Sequence, residues 1–502
     1  MSDREVATAL RSTAPMVVIE APAGCGKTHQ GADYAREAAS SGGRLLIITH
    51  THAACGVFAE RTSDRGRHVE IRTIDSLIAQ IAAAYHAGIG LPSDVAAWTR
   101  RTKDGYKIAA AKVSQLLARH PMIARALAER YPTVICDEHQ DSSADQHALV
   151  VALKAQGARV RIFGDPMQHI YKDDVATAAA PPCDWTGIVS SADAFAELST
   201  PHRWRSGCND LGQWTLEARR TLKAGQRLSL RGQLPQSVTV TISENVARNA
   251  QGFQLSDAKS AYAAERRASS LLILARHNHV TRACRSMYGR RLPLWEGHTR
   301  RHLDTLVDAM IVGANNAEHL ASAAAAFITA TSKGFTASGF ANQFIEYAGQ
   351  GCTKPRRGKP ATLQALAMHI VERPDHRGVA AMLRQLASLK GSDPAFAEVE
   401  FDHRSEYWDA VRLGGFDDIE AGLAEIANRR TYSRPMPPAK AISTIHKAKG
   451  LECDDVLLLS VDKNSFPDRA DARCLLYVAL SRAKKRLHIV ASQAAASPLI
   501  QL

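Results

Sequence analysis

Short apolar runs alternate with longer segments of helical pattern along the first 200 residues of this 502-residue chain. The runs are short and almost uninterrupted by polar residues, so they predict buried strands. The predicted strands cover residues 17–20, 45–50, 69–72, 134–137 and 160–164. This alternation is typical of an α/β fold, in which helices cover both faces of a parallel sheet and ligands bind at the carboxyl ends of the strands.

Two other stretches have a mainly helical pattern. The first is residues 80–130, and the second is residues 300–438, where the clearest predicted helices are 317–331, 361–372 and 378–387. A basic run at residues 350–359 lies between two of these helices and predicts a loop. We hold two interpretations of that loop, a contact for a phosphate or a partner and a solvated linker.

The segment at residues 21–28, Ala-Pro-Ala-Gly-Cys-Gly-Lys-Thr, lies between a predicted strand and a predicted helix. A glycine-bearing loop in this position can surround phosphates with backbone N–H groups at a helix N-terminus. The predicted nucleotide contacts are Ala23, Gly24, Cys25, Gly26, Lys27 and Thr28. We expect Lys27 to reach the β- and γ-phosphate oxygens and the Thr28 hydroxyl to bind Mg²⁺.

One residue of this segment departs from the usual pattern, because Ala21 stands where the first glycine is normally found. The alternative interpretation of the segment is a glycine-rich turn that caps an ordinary helix.

Polar residues follow two other predicted strands. Asp137 and Glu138 end one strand, where Asp137 is predicted to hold Mg²⁺ and Glu138 to polarise the water that attacks the γ-phosphate. Gln168 follows another strand and can sense the γ-phosphate or its attacking water. The alternatives are solvated acids at a strand end and an exposed turn residue.

Composition narrows the class of protein. Lysine and arginine number 63 against 50 aspartates and glutamates, a net charge of +13 that suits a nucleic-acid partner. The nine cysteines include no Cys-x-x-Cys pair, which argues against a disulfide framework or a zinc site. Neither a signal-peptide core nor an apolar run of membrane-spanning length is present, so we expect a soluble cytoplasmic protein that does not bind membranes.

Several segments, taken in order, resemble the motifs of superfamily 1 helicases of the UvrD/Rep/PcrA type. They are residues 21–28, 49–54, 73–76, 137–141, 164–171, 442–452 and 477–484. The resemblance implies an α/β protein with two RecA-like parallel-sheet motor domains and mostly helical inserted subdomains. It places the first motor at 1–200 with a small helical insertion at about 80–130, the second motor at 201–299 and 439–502, and the inserted subdomain at 300–438.

The resemblance also implies roles for residues at the ATP site. Arg482 resembles the arginine that reaches the γ-phosphate from the second motor, and Arg205 resembles a second such arginine. Trp204 stands where the family has a tyrosine that stacks on the base, with a core aromatic as the equal alternative. Glu452 resembles an acid near the ribose, and His29 occupies the place of an arginine over adenine.

The same resemblance implies contacts to single-stranded or tailed DNA. The matching positions are His50, His52, Ser76, Tyr171, Arg276, Asn278, Thr444 and His446. His50 and Tyr171 are expected to stack on bases, and Arg276 is expected to hold a phosphate. Two family features have no counterpart, the N-terminal glutamine motif that recognises adenine and a tryptophan close after Tyr171.

Two functional hypotheses follow from the resemblance. The first is an ATP- and Mg²⁺-dependent DNA helicase or translocase that moves 3′ to 5′ on single-stranded DNA. The second is a DNA-stimulated NTPase that senses DNA and activates a partner with little unwinding. In size and motif pattern the chain is similar to the helicase subunit of Gabija-type anti-phage defence systems. Under this second hypothesis, the partner would be an OLD-family nuclease.

Overall fold

The computed structural model describes residues 3–40, 44–102, 104–170, 184–243, 252–295, 300–433 and 437–502. The chain forms two compact units, one from Met1–Gly289 with Ala439–Leu502 and the other from Arg290–Pro438. The larger unit contains two parallel sheets, and the smaller unit is mostly helical. The predicted fold class, two RecA-like sheets with helical insertions, is therefore confirmed.

The first sheet contains six strands, all paired in parallel. They are β1 (Met16–Glu20), β2 (Leu45–Thr49), β3 (Val69–Thr73), β4 (Thr133–Cys136), β5 (Arg159–Gly164) and β6 (Ala194–Glu197). Their spatial order is β3-β2-β4-β5-β1-β6. The sequence predicts five of them with bounds that differ by one residue, and β6 is the strand it misses.

Nine helices surround this sheet within the described residues. They are α1 (Asp3–Arg11), α2 (Lys27–Ser40), α3 (His52–Arg61), α4 (Ile74–Ala84), α5 (Val95–Arg101), α6 (Gly105–Arg119), α7 (Pro121–Arg130), α8 (Ala144–Ala155) and α9 (Trp185–Ser190). Alternate residues of β1 enter different apolar clusters, Met16 and Val18 on one face and Val17 and Ile19 on the other. Both faces of the sheet are therefore covered, as expected for parallel strands.

The helices at about 80–130 share the core of the first sheet. Ile81, Val113 and Leu117 belong to the same apolar cluster as Val134 of β4 and Ile162 of β5. Within the described residues, this segment thus packs as part of the motor and buries its apolar side against the sheet. The predicted boundary of a separate insertion stays a prediction.

The second sheet of the larger unit is built from two distant parts of the chain. Its first part contains α10 (Asn209–Lys223), β7 (Leu228–Ser229), β8 (Val238–Ser243), α11 (Leu255–Arg267), β9 (Leu271–Ala275) and α12 (Asn278–Met287). The chain then runs through the smaller unit and returns.

The smaller unit is a helical bundle with one short antiparallel strand pair. Its elements are α13 (Arg301–Val312), α14 (Ala317–Thr331), β10 (Ser332–Lys333), α15 (Asn342–Gly349), α16 (Lys359–Glu372), α17 (His376–Ser392), β11 (Glu400–Phe401), α18 (Arg404–Leu413) and α19 (Ile419–Ser433). The three helices that the sequence predicts here are confirmed as α14, α16 and α17. The unit has its own apolar core, in which Leu320, Phe344, Leu383 and Tyr407 are fully buried.

The returning chain completes the second sheet with β12 (Lys440–Thr444), β13 (Cys453–Val461), α20 (Ala470–Leu480), β14 (Ala483–Ser492) and β15 (Ile500–Gln501). The strand order is β12-β9-β13-β14-β8, again with every pair parallel, and β15 pairs with β7 beside it. No helix within the described ranges is long and apolar enough to cross a membrane.

Candidate functional site

The loop after β1 has the backbone of a phosphate cradle. Gly24 and Gly26 have φ angles of 76° and 83°, a left-handed region that side chains disfavour. A Cβ at Gly24 would also lie 2.7 Å from the Trp204 ring. Helix α2 begins at Lys27, so its free N–H groups and the positive end of its dipole face the loop.

Alanine is tolerated at the first position of the motif. Ala21 has no positive φ, and its N–H donates to the Gly164 carbonyl of β5 at 2.8 Å. The position therefore needs an extended, strand-paired residue, which requires no glycine. Cys25 is fully buried in the loop, and burial raises the pKa of its thiol to about 12, so the thiol stays protonated near neutral pH.

Lys27 lies against two carboxylates at the end of β4. Its Nζ is 3.3 Å from Asp137 Oδ1 and makes an ion pair with Glu138 Oε1. Burial alone would lower the pKa of Lys27, but the charges of Asp137 and Glu138 outweigh it and raise the pKa. The fold thus joins residues 27, 137 and 138, which are far apart in the chain, in one charged cluster.

The two carboxylates differ in their titration. Burial raises the pKa of Asp137, and the adjacent Glu138 charge adds to that rise against the effect of Lys27. Burial alone would also raise the pKa of Glu138, but Lys27 and Lys449 outweigh it and lower the pKa to about 2. Glu138 is therefore ionised at neutral pH, as a carboxyl group that acts as a base toward water must be.

Glu138 also has a strained backbone. Its φ of 52° is left-handed, which is uncommon for a residue with a side chain and is found mostly at functional sites. Gln140 Nε2 donates to Glu138 Oε2 at 2.5 Å, and Gln140 Oε1 accepts the backbone N–H of Asp165 at 3.0 Å. Gln140 thus connects the Glu138 carboxylate to the backbone at the end of the neighbouring strand β5.

This network continues into the second sheet through Gln168. Gln168 Nε2 donates to Asp165 Oδ2 at 2.9 Å, and Gln168 Oε1 accepts from Arg482 Nη2 at 3.5 Å. Gln168 is buried, so the alternative of an exposed turn residue is wrong. Arg482, which follows α20 in the second motor, is brought into hydrogen-bond contact with the first.

Arg482 carries a buried charge without a carboxylate partner among the described residues. Its guanidinium donates to the carbonyls of Val478 at 2.9 Å and Leu451 at 3.2 Å, and to Ser481 Oγ at 2.7 Å. Burial, together with the nearby charge of Arg203, lowers the pKa of Arg482 to about 10. An anion placed beside it would relieve that cost.

The residues around the cluster fit a magnesium ion. Asp137 Oδ1 is a buried oxygen that makes no hydrogen bond in the described part of the chain besides its ion pair with Lys27 Nζ at 3.3 Å. Thr28, at the start of α2, is half-buried on the same loop as Lys27. No group of three or more histidine, cysteine or acidic residues forms a metal cage among the residues described. Mg²⁺ commonly binds one or two carboxylates together with substrate phosphates and water, and the Asp137 carboxylate and the Thr28 hydroxyl are oxygen ligands of the kind it prefers.

Trp204 requires a correction. Its side chain is 1% exposed, its Nε1 donates to the Ala483 carbonyl at 2.8 Å, and its ring lies against Gly24 and Gly212. Because two glycines leave room for the indole, it packs beneath the phosphate loop and cannot stack on a nucleotide base in this structure. The core alternative is the one that holds.

The region around Trp204 instead reveals two residues that the sequence reasoning missed. Arg203 donates to the Ser481 carbonyl at 2.6 Å and pairs with Glu452 at 2.7 Å. Tyr477 is fully buried on α20, and its hydroxyl accepts the N–H of Ala23 in the phosphate loop at 2.9 Å. The backbone N–H of Arg203 also donates to the Gly24 carbonyl at 3.0 Å, so both residues connect the second motor to the loop. Both lie within or beside segments already recognised as motifs.

Two other predicted ATP contacts lie at the surface. The His29 side chain is exposed on α2, 3.1 Å from Asp33 and 3.3 Å from Arg61. The Arg205 side chain is also exposed, and its nearest acid is Asp3 at 3.9 Å. The structure does not bring either residue into the charged cluster, and their roles stay predictions.

Comparison with known families decides the assignment. Residues 4–174 match the model of an AAA domain, and residues 423–494 match the model of the UvrD-like helicase C-terminal domain. No curated protein matches the chain. Together the two matches support a superfamily 1 helicase of the UvrD/Rep type. This family implies ATP-dependent helicase activity with DNA as the substrate.

The predicted DNA contacts of this UvrD-like chain fall into two groups. The exposed group is His52, at the first position of α3, and Asn278, at the first position of α12. The half-buried or buried group is His50, Ser76, Arg276, Thr444 and His446. Tyr171 lies outside the described residues. The structure thus leaves few of these side chains free at the surface.

Several of the half-buried residues have protein partners. His50 Nε2 lies 2.9 Å from Ser142 Oγ, and Ser76 Oγ donates to the Thr73 carbonyl at 2.9 Å. Arg276 donates to the Ser465 carbonyl at 2.6 Å and lies 3.5 Å from Asp471. Each residue would exchange a protein contact for a nucleic-acid contact in its predicted role.

A second contact between the motors of the UvrD-like chain involves Asp141. Its carboxylate makes an ion pair with Lys449, from the 442–452 segment, and lies 3.2 Å from His169 Nδ1. Burial alone would raise the pKa of Asp141, but the Lys449 charge and the His169 hydrogen bond lower it. The sequence identifies Asp141 only as a member of the 137–141 motif, because it does not show which distant cation pairs with this residue.

Proposed function

We propose that the chain is an ATP-driven motor that moves 3′ to 5′ along single-stranded DNA and separates strands ahead of it. ATP hydrolysis would take place in the cluster of Lys27, Asp137 and Glu138, next to Arg482 of the second motor. The direction of movement rests on the resemblance to the UvrD/Rep family.

The observation that carries the proposal is the state of Arg482. It is 2% exposed, has no carboxylate partner among the described residues, and reaches Gln168 of the first motor at 3.5 Å. A buried cation that is held only by carbonyl and hydroxyl oxygens is prepared to stabilise negative charge. A γ-phosphate that becomes more charged during cleavage is the anion this arrangement suits.

The other residues of the cluster supply the remaining parts of the reaction. The Lys27 side chain would move away from Asp137 and Glu138 and contact the phosphates instead, because a triphosphate carries more negative charge than the two carboxylates. Glu138, ionised and oriented by Gln140, would accept a hydrogen bond from the attacking water. Gln168, with one end on Asp165 and the other on Arg482, would sense whether the second motor is in place.

Asp137 and Thr28 would hold Mg²⁺ together with phosphate oxygens and water. When bound there, Mg²⁺ would supply positive charge that offsets the negative charge developing on the phosphates during cleavage. Asp137 suits the role because its Oδ1 makes no hydrogen bond within the described residues besides the Lys27 ion pair, which would be released when Lys27 contacts the phosphates.

A hydrogen-bonded path supports coupling between hydrolysis and DNA. His139 follows Glu138 directly, and its Nδ1 lies 3.0 Å from Ser142 Oγ. The same Ser142 Oγ lies 2.9 Å from His50 Nε2. A change at Glu138 on nucleotide binding would therefore reach a predicted base-stacking residue through two hydrogen bonds.

The test is ATP hydrolysis with and without single-stranded DNA, beside strand separation on duplexes with a 3′ or a 5′ tail. We expect DNA to stimulate hydrolysis and only the 3′-tailed duplex to be separated. Separation of the 5′-tailed duplex alone would contradict the direction. Hydrolysis that does not respond to DNA would contradict the assignment of the DNA contacts.

The same assays distinguish the sensor hypothesis. DNA-stimulated hydrolysis without separation of either duplex would favour an NTPase that activates a partner, and the OLD-family nuclease partner would then be tested. Comparing ATP with GTP in the hydrolysis assay adds a second criterion, because the family's N-terminal adenine motif has no counterpart here. Equal rates would fit a site that binds phosphates more closely than the base.

A further inference from the structure

The smaller unit contains a cavity of about 480 Å³ between helices α17 and α18. All of its walls come from this one unit. The lining residues are Arg384, Ala387, Ser388, Lys390, Phe401, Arg404 and Trp408. Three of the seven are cations, two are aromatic, and none is acidic, so the cavity favours an anion that also carries a flat apolar group.

Helical periodicity explains why these side chains meet. Arg384, Ala387 and Ser388 are spaced at i, i+3 and i+4 on α17, so they share one face of that helix. Arg404 and Trp408 are spaced at i and i+4 on α18 and share another. The two faces line the same groove, with Phe401 of β11 at its base.

The aromatic side of the groove is rigid. Phe401 and Tyr407 stack with ring centroids 3.9 Å apart, and the Tyr407 hydroxyl donates to the Leu383 carbonyl at 2.6 Å. Trp408 packs edge-on against Tyr407 at an interplanar angle of 83°. Its own side chain remains 42% exposed. A large aromatic ring is thus held by a buried neighbour while part of its surface faces solvent.

The cations of the groove are unusual for their lack of partners. Arg384 and Arg404 are both exposed, and neither makes a hydrogen bond or an ion pair with any residue that the structure describes. Lys390 lies over the Phe401 ring, with Nζ 5.6 Å from the centroid. By contrast, exposed Arg373 of the same unit pairs with Asp375 at 3.3 Å. The two groove arginines are free to bind an external anion.

We propose that this groove binds a short segment of single-stranded DNA, with one base stacked on Trp408 and the neighbouring phosphates at Arg384 and Arg404. Aromatic rings that stack on bases, beside cations that follow the backbone, are the usual means of binding single strands without sequence preference. Arginines on two separate helices offer the groove more than one phosphate contact. The choice of DNA as ligand rests on the proposed motor function, whereas the site itself rests on the geometry of the groove.

Tryptophan fluorescence of the full chain gives a direct probe. Of the six tryptophans, Trp408 alone is exposed, so a base that stacks there should quench the most accessible emission. We expect a short oligothymidylate to quench the wild-type chain and the Trp408→Phe variant to lose that quenching. Inorganic polyphosphate, which has charge but no bases, should compete with the oligonucleotide without reproducing the quenching.

Substitution of the cations tests the same groove without removing a core residue. Arg384→Gln with Arg404→Gln should weaken oligonucleotide binding, measured by Trp408 quenching, by roughly tenfold at low salt. It should also reduce the slope of log affinity against log salt by about 1.4, since each contact to a single strand contributes about 0.7. The matched control is Lys333→Gln with Arg373→Gln, which removes two exposed charges from the same unit. It should leave the affinity and the slope unchanged.

The outcomes separate this proposal from the motor function. Trp408 quenching with no DNA-stimulated ATP hydrolysis would leave the groove site in place and overturn the motor. Stimulated hydrolysis with no Trp408 quenching, or an equal loss of affinity in the groove and control variants, would overturn the groove site and leave the motor in place. Equal quenching by polyphosphate would also overturn it, because no base would be required.

Discussion

Two sites of the molecule hold arginines without a carboxylate partner among the described residues. In one site the arginine is buried, and in the other the arginines are exposed to solvent. Arg482 in the ATP cleft is 2% exposed and is held by carbonyl and hydroxyl oxygens. Arg384 and Arg404 in the groove of the smaller unit are exposed and make no such bonds within the described structure. Hydrogen bonds hold the Arg482 guanidinium in place, whereas the two groove arginines are positioned only by the helices that carry them.

The difference determines how each site would use its charge. Burial lowers the pKa of Arg482 to about 10, which shows that the fold bears a cost to keep the charge there. In return, the charge acts at short range in a medium of low polarity and is screened little by salt. The groove arginines carry no such cost, and their attraction to an anion should fall steeply as salt is added.

The largest expected effect is that of Arg482→Ala. Loss of an arginine that stabilises the charge on a transferred phosphoryl group lowers kcat by about 10³- to 10⁵-fold. We expect DNA-stimulated ATP hydrolysis to fall by that order, with a smaller change in nucleotide affinity. The control is Arg220→Ala on α10, because Arg220 is exposed and pairs with Glu217 at the surface, at 3.2 Å. Near wild-type hydrolysis in the Arg482 variant would contradict the proposal, because the buried cation would then not be needed to stabilise charge during ATP hydrolysis.

The next effect is that of Glu138→Gln, which keeps the shape of the side chain and removes its charge. A positioned general base contributes about 10²- to 10⁴-fold to a rate, and hydrolysis should fall by that order. DNA affinity should survive, because Glu138 is a residue of the ATP cluster. Glu217→Gln on α10, whose side chain is 67% exposed, is the matched control. Loss of DNA binding in the Glu138 variant would show that the cluster and the DNA contacts are one structural unit.

A third test compares buried and exposed cations at two adjacent positions. Arg219 is 2% exposed and contacts Glu20 at 2.5 Å, Asp165 at 2.9 Å and Glu197 at 2.8 Å. Arg219→Met would leave the buried carboxylate of Asp165 without a cation and Glu20 with Lys223 alone, and should lower the free energy of unfolding by about 3–5 kcal/mol.

The exposed neighbour of Arg219 gives the control for that experiment. Arg220 pairs only with Glu217 among the described residues, at 3.2 Å and at the surface, so Arg220→Met should cost about 0–1 kcal/mol. Both variants can be measured by urea unfolding. Similar losses for the two would mean that burial does not set the strength of these ion pairs.

The parts of the cleft that the sequence predicts are those with a local signal. Asp137 and Glu138 follow an apolar run, and Lys27 follows two glycines, so the strand ends and the phosphate loop are visible as patterns. Because parallel strands have their carboxyl ends at one edge, the meeting of these segments also follows from the fold class.

Contacts made across the molecule have no such signal. Tyr477 reaches the N–H of Ala23 across 454 positions of the chain, and nothing near either residue indicates the pairing. Trp204 is buried because Gly24 and Gly212 leave space for its ring, a fact of packing that neither glycine reveals alone. The groove arginines are likewise visible only once α17 and α18 lie side by side.

The last prediction uses acid to separate the two sites. A chain of hydrogen bonds begins next to Asp137 and Glu138 in the sequence. It joins His147 to His139 at 2.9 Å and continues through Ser142 to His50. Burial lowers the pKa of all three histidines from 6.5, and for His139 the pKa lies well below that value. For His50, the charges of Asp141 and Asp75 oppose the effect only in part.

The sign follows from proton binding. Below pH 6.5 the unfolded chain protonates these histidines and the folded chain does not, so the free energy of unfolding should fall as the pH is lowered. Each histidine kept neutral contributes up to about 1.4 kcal/mol per pH unit. Carboxylates with lowered pKa, such as Glu20 and Asp141, lose their stabilising effect only below their ordinary values of 4.5 and 3.8. In the interval between pH 6.5 and 4.5 the histidines therefore act against carboxyl groups with a raised pKa, such as Asp137 and Asp75, which stabilise the folded chain as they bind protons.

Urea unfolding across that interval should give a slope that the His139→Gln variant reduces. The groove should behave differently, because its lining residues include no histidine, aspartate or glutamate. Oligonucleotide quenching of Trp408, measured while the chain is still folded, should stay constant over the same interval. An unfolding slope that the variant leaves unchanged would mean that the histidines are exposed in solution, and a pH-dependent groove would mean that a titrating group lies close to its arginines. Either result would remove the contrast between a site whose charges are fixed by burial and one whose charges are left to solvent.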